Sequence, residues 1–174
     1  MAKSPRAIDK LRVMLDANVL IAGSVWPRWS YEVVQHALQG DFQLVLAPLV
    51  IDQARRRVAT RFPLQVERLE TFLRQSQYAE APDPSPVSVR RNLHLVRDET
   101  DVPIALAAIQ AKVYCLVSDD KDLTADDETT AGLRKLLTVM RPVIFLREVL
   151  GWTSEALERV HKRTWQDLLP PQHT

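Results

Sequence analysis

The 174-residue chain predicts an α/β fold: a three-layer α/β/α sandwich around a central, mostly parallel sheet, with a C-terminal helical extension. Three observations predict it. Short apolar runs alternate with stretches of helical apolar spacing, the pattern of strands joined by right-handed crossovers. The runs are apolar throughout rather than alternating, as in strands buried on both faces. A 46% hydrophobic share with 26% charged residues suits one core of ordinary size.

The elements follow in order. RVML (12–15) reads as a buried strand ending in Asp16, with a short helix over 17–23 behind it. After the loop WPRW (26–29), Ser30 is a suitable N-cap for a helix with apolar positions 33, 34, 37 and 38, closed by Gly40. FQLVLA (42–47) is a second strand, and Pro48 suits the first turn of a helix reaching about Arg61. Pro63 opens a further helix with the stripe Leu64, Val66, Leu69, Phe72 and Leu73. Prolines 82, 84 and 86 make residues 78–88 an extended linking loop. Asp98 to Asp101 lead into VPIALAAIQAK, a helix apolar nearly all round. VYCLVS (113–118) is a third strand ending in Asp119 and Asp120, a helix covers 129–140, and PVIFL (142–146) is a last strand. REVLGW and residues 154–166 add C-terminal helices.

Composition excludes several function classes. The single cysteine, Cys115, permits neither an internal disulfide nor a Cys-based metal site, and fits a reducing, cytoplasmic setting. The glycines at 23, 40, 132 and 151 are too far apart for a nucleotide-binding loop or a hydrolase nucleophile elbow. MAKSPRAIDK lacks the apolar stretch of a signal peptide, and the longest apolar runs fall far short of the ~18 residues that span a bilayer, so no membrane association is expected. Histidines 36, 94, 161 and 173 lack zinc-ligand spacing. The net charge of +1 points to no partner by itself.

The acids point somewhere. In a doubly wound sheet, sites form beyond the carboxyl ends of the strands. Asp16 and Asp120 follow strands, while Asp52 and Asp101 lie near the starts of helices whose N-termini face the same edge. Asn18 and Asp122 lie close by in sequence. Carboxylates brought together repel, and a divalent cation removes that penalty. Oxygen-only ligands suit Mg²⁺ or Mn²⁺, ions that orient a water, lower its pKa and neutralise a leaving oxygen in phosphodiester hydrolysis.

The ordered segments LDANVL (15–20), APLVIDQARRRV (47–58), RDETDVPIALAA (97–108) and LVSDDKDL (116–123) resemble the motifs of PIN-domain nucleases, over roughly residues 11–150. The resemblance is to the toxin components of bacterial toxin–antitoxin pairs (VapC-like). It implies a PIN-like nuclease domain over 1–151, with 152–174 a helical extension of the same domain. It implies a Mg²⁺/Mn²⁺-dependent endoribonuclease in which Asp16, Asp52, Asp101 and Asp120 are catalytic. Of these, Asp16, Asp101 and Asp120 would hold the metal, supported by Asn18, Ser118 and Asp122. It further implies an RNA substrate, a cognate antitoxin and a homodimer. The sequence departs from the family pattern at Asp52, where glutamate is usual, and at Asp119, where a small residue is usual.

Plainer readings stand beside these. Asp16 also suits an N-cap, Asp101 a first-turn acid complementing the helix dipole, and Asp52 an i,i+4 partner of Arg56. The run Arg55–Arg57 covers three faces of its helix, so its members cannot all meet a substrate. Two further function classes remain open. One is a catalytically weak PIN-like module that binds RNA or a protein without cutting. The other is a phosphoacceptor signalling domain, which FQLVLA, lacking a following acid, disfavours.

Overall fold

The computed structural model describes residues 10–170. Residues 1–9 and 171–174, with His173 and the outer ends of both predicted units, lie outside the described residues. The strands are β1 (Arg12–Leu15), β2 (Gln43–Leu46), β3 (Ala79–Glu80), β4 (Cys115–Val117) and β5 (Val139–Met140). The helices are α1 (Ala17–Val25), α2 (Trp29–Gln39), α3 (Pro48–Arg61), α4 (Val66–Gln75), α5 (Pro86–Arg91), α6 (Val102–Gln110), α7 (Lys121–Thr124), α8 (Ala131–Arg134), α9 (Pro142–Glu148) and α10 (Ser154–Val160). Short 3₁₀ turns intervene, including Glu99–Asp101 before α6 and Trp165–Leu168 after α10.

β1 is a strand because Val13, Met14 and Leu15 are all fully buried and offer β-compatible apolar surface to both faces. It lies at the centre of the order β3-β2-β1-β4-β5, and every pairing is parallel. The expected sandwich is therefore present, with a wholly parallel sheet. Right-handed crossovers place α1–α4 on one face, because β1, β2 and β3 step in one direction. They place α5–α8 on the other, because the chain then returns to β4 and β5 beyond β1. Contacts among α1, α2, α3 and α4, and of α5 with α6, agree with that division. The reversal lies between β1 and β4, so the crevice at their carboxyl ends is where a doubly wound sheet opens a site.

Two glycines fix the packing of α1 and α2. Gly40 takes φ 79° and ends α2 in the left-handed conformation, its N–H donating to the carbonyls of His36 and Ala37. A Cβ on Gly23 would lie 2.8 Å from Val34 Cγ2 and 3.1 Å from the Ser30 carbonyl oxygen, so only glycine permits this approach of the two helices.

Several expected elements differ. PVIFL is not a strand: it begins α9, with Pro142 in the first turn and Pro142, Phe145 and Leu146 buried at helical spacing. The last strand is instead the two-residue β5 just before it, and the helix expected over 129–140 shrinks to α8, Ala131–Arg134. Residues 78–88 are not a continuous loop. Ala79 and Glu80 pair with Val45 and Leu46, and Pro86 starts α5 behind an N-cap at Ser85. A proline that breaks an interior is the favoured first residue of a helix, which accounts for both α5 and α9. Ser30 is not a cap. It is buried inside α2, which starts at Trp29 behind Arg28.

Residues beyond 151 lie against α1 and α2 through aromatic anchors. Trp152 Nε1 donates to His36 Nε2 at 2.9 Å, Trp29 Nε1 to the Leu157 carbonyl at 2.9 Å, and Trp165 Nε1 to the Val25 carbonyl at 2.9 Å. Arg163 pairs with Glu32 and donates to the Pro27 carbonyl, while the Arg68 guanidinium lies 3.5 Å from the centre of a Trp165 ring. Trp26 and Trp29 are thus used in packing: Trp26 meets Phe62 edge-on and Trp29 meets His161.

Candidate metal centre

The site is built at the ends of β1 and β4. Asp16 follows β1 and caps α1, one carboxylate oxygen accepting from the Ala17 N–H at 2.7 Å. Its other oxygen accepts from the Ser118 hydroxyl at 2.6 Å. Ser118, wholly buried after β4, also accepts from the Asp120 N–H at 3.1 Å, so one hydroxyl ties together the turns that carry both acids. Asp120 in turn caps α7 by accepting from the Asp122 N–H at 2.8 Å. Asn18 accepts from the Asp119 N–H at 3.4 Å and bridges the same two turns, while the Asp119 side chain is exposed.

Asp101 comes from a third part of the chain, in the turn before α6, where Pro103 in the first helical turn fixes the direction of the helix. Its carboxyl is close enough to Asp120, Asp98 and Asp16 to feel their negative charges. Oδ2 of Asp101 is buried and receives no hydrogen bond from any donor. Burial first, then Asp120, then the charges of Asp98 and Asp16 push the Asp101 carboxyl up to about 7. Asp16, only 7% exposed, is also raised by burial, with Asp120 adding to the rise, while Ser118, Ala17 and the positive charge of Arg57 oppose it. Each effect has one physical origin: negative oxygens held together in a poorly solvated crevice.

Sequence reasoning missed one acid here. Oxygens of Asp98, Asp101 and Asp122 all lie within 4.8 Å of one another. The signal was present in RDETD, where a 3₁₀ turn brings residues three apart onto one side. Asp98 is exposed and already accepts from the backbone and hydroxyl of Thr100, which hold its pKa down. Asp122 is paired with Arg97 at 2.8 Å. Asp98 and Asp122 thus have other partners at the rim, whereas Asp101 does not.

Among the described residues, Asp52, like Asp16 and Asp120, is not one of the acids whose oxygens lie within 4.8 Å of one another. It is exposed on α3, where its charge acts on Arg55. The reason is helical phase. Val50, Ile51, Ala54 and Val58 take the core face, which leaves Gln53, not Asp52, on the side that meets Thr100 and Pro103. The acids whose oxygens lie close enough together to share an ion are Asp98, Asp101 and Asp122, an all-oxygen donor set of the kind that Mg²⁺ or Mn²⁺ takes, and Asp101 Oδ2 among them has no hydrogen-bond donor.

Comparison with known proteins agrees with the architecture. Residues 12–122 match the sequence model of a family described as PIN domain. Among solved structures, PAE2754 from Pyrobaculum aerophilum superposes with a TM-score of 0.59 at 15% identity, over 87% of this chain and 99% of that one. VapBC2 from Rickettsia felis, bound to a DNA fragment from their promoter, gives a TM-score of 0.52 at 14% identity, over 75% of this chain and 98% of that one. No curated protein sequence matches significantly. Among the described residues, no helix is long and apolar enough to cross a membrane.

Proposed function

The chain belongs to the PIN-domain family, and on that premise we propose that it is a Mg²⁺- or Mn²⁺-dependent endoribonuclease. The observation that carries the reading is Asp101 Oδ2, buried without a donor among carboxylates from remote segments. Asp16, Asp101 and Asp120 would hold the ion. A divalent ion there neutralises the clustered charge, lowers the pKa of a water and stabilises charge on the leaving oxygen.

The protein's own contribution is positioning. Ser118 sets the rotamer of Asp16 and the turn of Asp120 through one hydroxyl, and Asn18 ties the Asp119 backbone to α1. Leu15, Val117 and Val102, the chain neighbours of Asp16, Ser118 and Asp101, are wholly buried and anchor these residues to the core. Asp122, paired with Arg97, supports the rim. Asp52 is left out of the metal set.

The test is incubation of labelled single-stranded RNA with Mn²⁺. Products with 5′-phosphate and 3′-hydroxyl ends are expected, since hydrolysis by water places the phosphate there. A 2′,3′-cyclic phosphate would mean attack by the RNA's own 2′-hydroxyl and would contradict the mechanism. Asp120→Asn should lower the rate by about a thousandfold or more, with an unchanged near-ultraviolet circular dichroism spectrum.

The biological role we propose is that of the toxin in a toxin–antitoxin pair, acting in the cytoplasm as a homodimer restrained by a cognate antitoxin. The sequence resemblance supports this role, and the Rickettsia felis likeness supports the fold that goes with it. Co-expression with the adjacent small reading frame should relieve growth arrest; arrest that no neighbouring gene relieves would remove the role.

One observation favours a second reading, a PIN-like module that binds RNA or a protein without cutting: Asp52 stands apart and Gln53 faces the groove in its place. Mn²⁺ binding without RNA cleavage would select it.

A further inference from the structure

Beside the acidic centre lies a groove of about 600 Å³ between α3 and the start of α6. Its ionisable lining residues are Arg56, Arg57 and Arg61, accompanied by Gln53 and Thr60, and no carboxylate lines it. Its far wall is Thr100 and Pro103, which flank Asp101 in the chain, so the groove and the acidic centre share a wall. Arg57 also acts electrostatically on Asp16.

The arginines of α3 differ in what they do. Arg55 is held by Glu70 in a two-pronged pair, at 2.7 and 3.0 Å, and braces α3 against α4. Arg56, Arg57 and Arg61 are exposed, and among the described residues none of them belongs to an ion pair. Three guanidinium groups without an ion-pair partner along ~7 Å of helix axis present a concentrated positive charge that suits an anionic occupant. Guanidinium forks suit phosphate oxygens, two N–H donors at a time.

We propose that this groove seats the sugar–phosphate backbone of single-stranded RNA next to the phosphodiester presented to the acids. The proposal rests on the endoribonuclease reading and adds to it the polarity of the site: cationic groove on the α3 side, anionic centre at the sheet edge. The groove contacts phosphates rather than bases, so it contributes affinity and register without sequence preference. It also offsets the repulsion that the clustered carboxylates exert on an incoming polyanion.

The experiment measures fluorescence anisotropy of a fluorescein-labelled oligouridine with the full chain in EDTA, over a series of salt concentrations. Compared are the unaltered protein, Arg56→Ala/Arg61→Ala, and the charge-matched control Arg90→Ala/Arg91→Ala on α5. The groove pair should bind on the order of tenfold or more weakly, and its log K against log salt slope should fall by about 1.4, two phosphates at roughly 0.7 each. The α5 pair should leave the slope unchanged. Equal losses from both pairs, or no loss from the groove pair, would overturn the proposal. Equally tight, arginine-dependent binding of a polyglutamate peptide would assign the groove to an acidic protein segment and overturn it too. A parallel Mn²⁺ cleavage assay separates the two readings. Cleavage by the unaltered protein with binding insensitive to the groove pair removes the groove alone, whereas absence of cleavage removes the nuclease and leaves the binding result to stand by itself.

Discussion

Asp101→Asn should make the metal-free protein more stable at pH 8 and less responsive to metal. The substitution keeps shape and removes charge. The Asp101 carboxyl rises from 3.8 to about 7 on folding, chiefly through burial. A carboxyl raised on folding binds its proton more tightly in the native state. Its favourable contribution is therefore complete below about pH 4 and is lost as pH climbs through about 7. Unscreened, that shift corresponds to an upper bound of about 4 kcal/mol; solvent access at this partly exposed crevice reduces it to about 1–2 kcal/mol. For a chain of this length that is about 3–6 °C in Tm. Differential scanning calorimetry in EDTA should show the variant melting higher than the parent at pH 8, with the gap closing towards pH 5. Addition of Mn²⁺ should then raise the parent's Tm and barely move the variant's. A variant that melts lower at pH 8, or a gap independent of pH, would refute the claim that uncompensated negative charge collects at Asp101.

Other outcomes follow from the same geometry. Asp52→Ala should leave the RNA cleavage rate within about threefold of the parent, under ~0.7 kcal/mol of barrier; a loss of a hundredfold would return Asp52 to the catalytic set. At subsaturating Mn²⁺, cleavage should rise about tenfold per pH unit below pH 7 and level off above it, because ligation requires Asp101 without its proton; a rate flat from pH 5.5 to 8 would contradict this. Trp165→Ala removes a hydrogen bond to Val25, an edge-on contact with Tyr31 at 5.3 Å and the Arg68 guanidinium stack, so a urea titration should lose about 2 kcal/mol. A shift under ~0.5 kcal/mol would mean the C-terminal segment contributes nothing to the fold.

The strands that position the site were legible because they are buried on both faces and therefore read as pure apolar runs: Val13–Leu15 and Cys115–Val117 are both of this kind. The places of Asp16 and Asp120 just beyond those strand ends were legible for the same reason, while their metal-binding role is a proposal. PVIFL was misread because a short apolar run has no period of its own, and only its neighbour Pro142, in a first helical turn, decides for helix. β3 and β5 are two residues each, and such strands exist only through the partner that pairs with them, which no local pattern encodes. Asp52 and Gln53 differ by one residue, or about 100° around α3, and sequence order alone does not say which faces the groove. The arginine run shows the same limit. Its division into a brace, Arg55, and a groove lining, Arg56 and Arg57, depends on Glu70 from another helix.

On the proposed reading, Asp16, Asp101 and Asp120 take one divalent cation between them. Anomalous diffraction from a Mn²⁺-soaked crystal tests this directly. It should give a peak about 2.0–2.3 Å from oxygens of Asp101 and Asp120, with Asp16 coordinating directly or through a water. A peak only at the rim, on Asp98 and Asp122, or no peak among these carboxylates at saturating Mn²⁺, would contradict it.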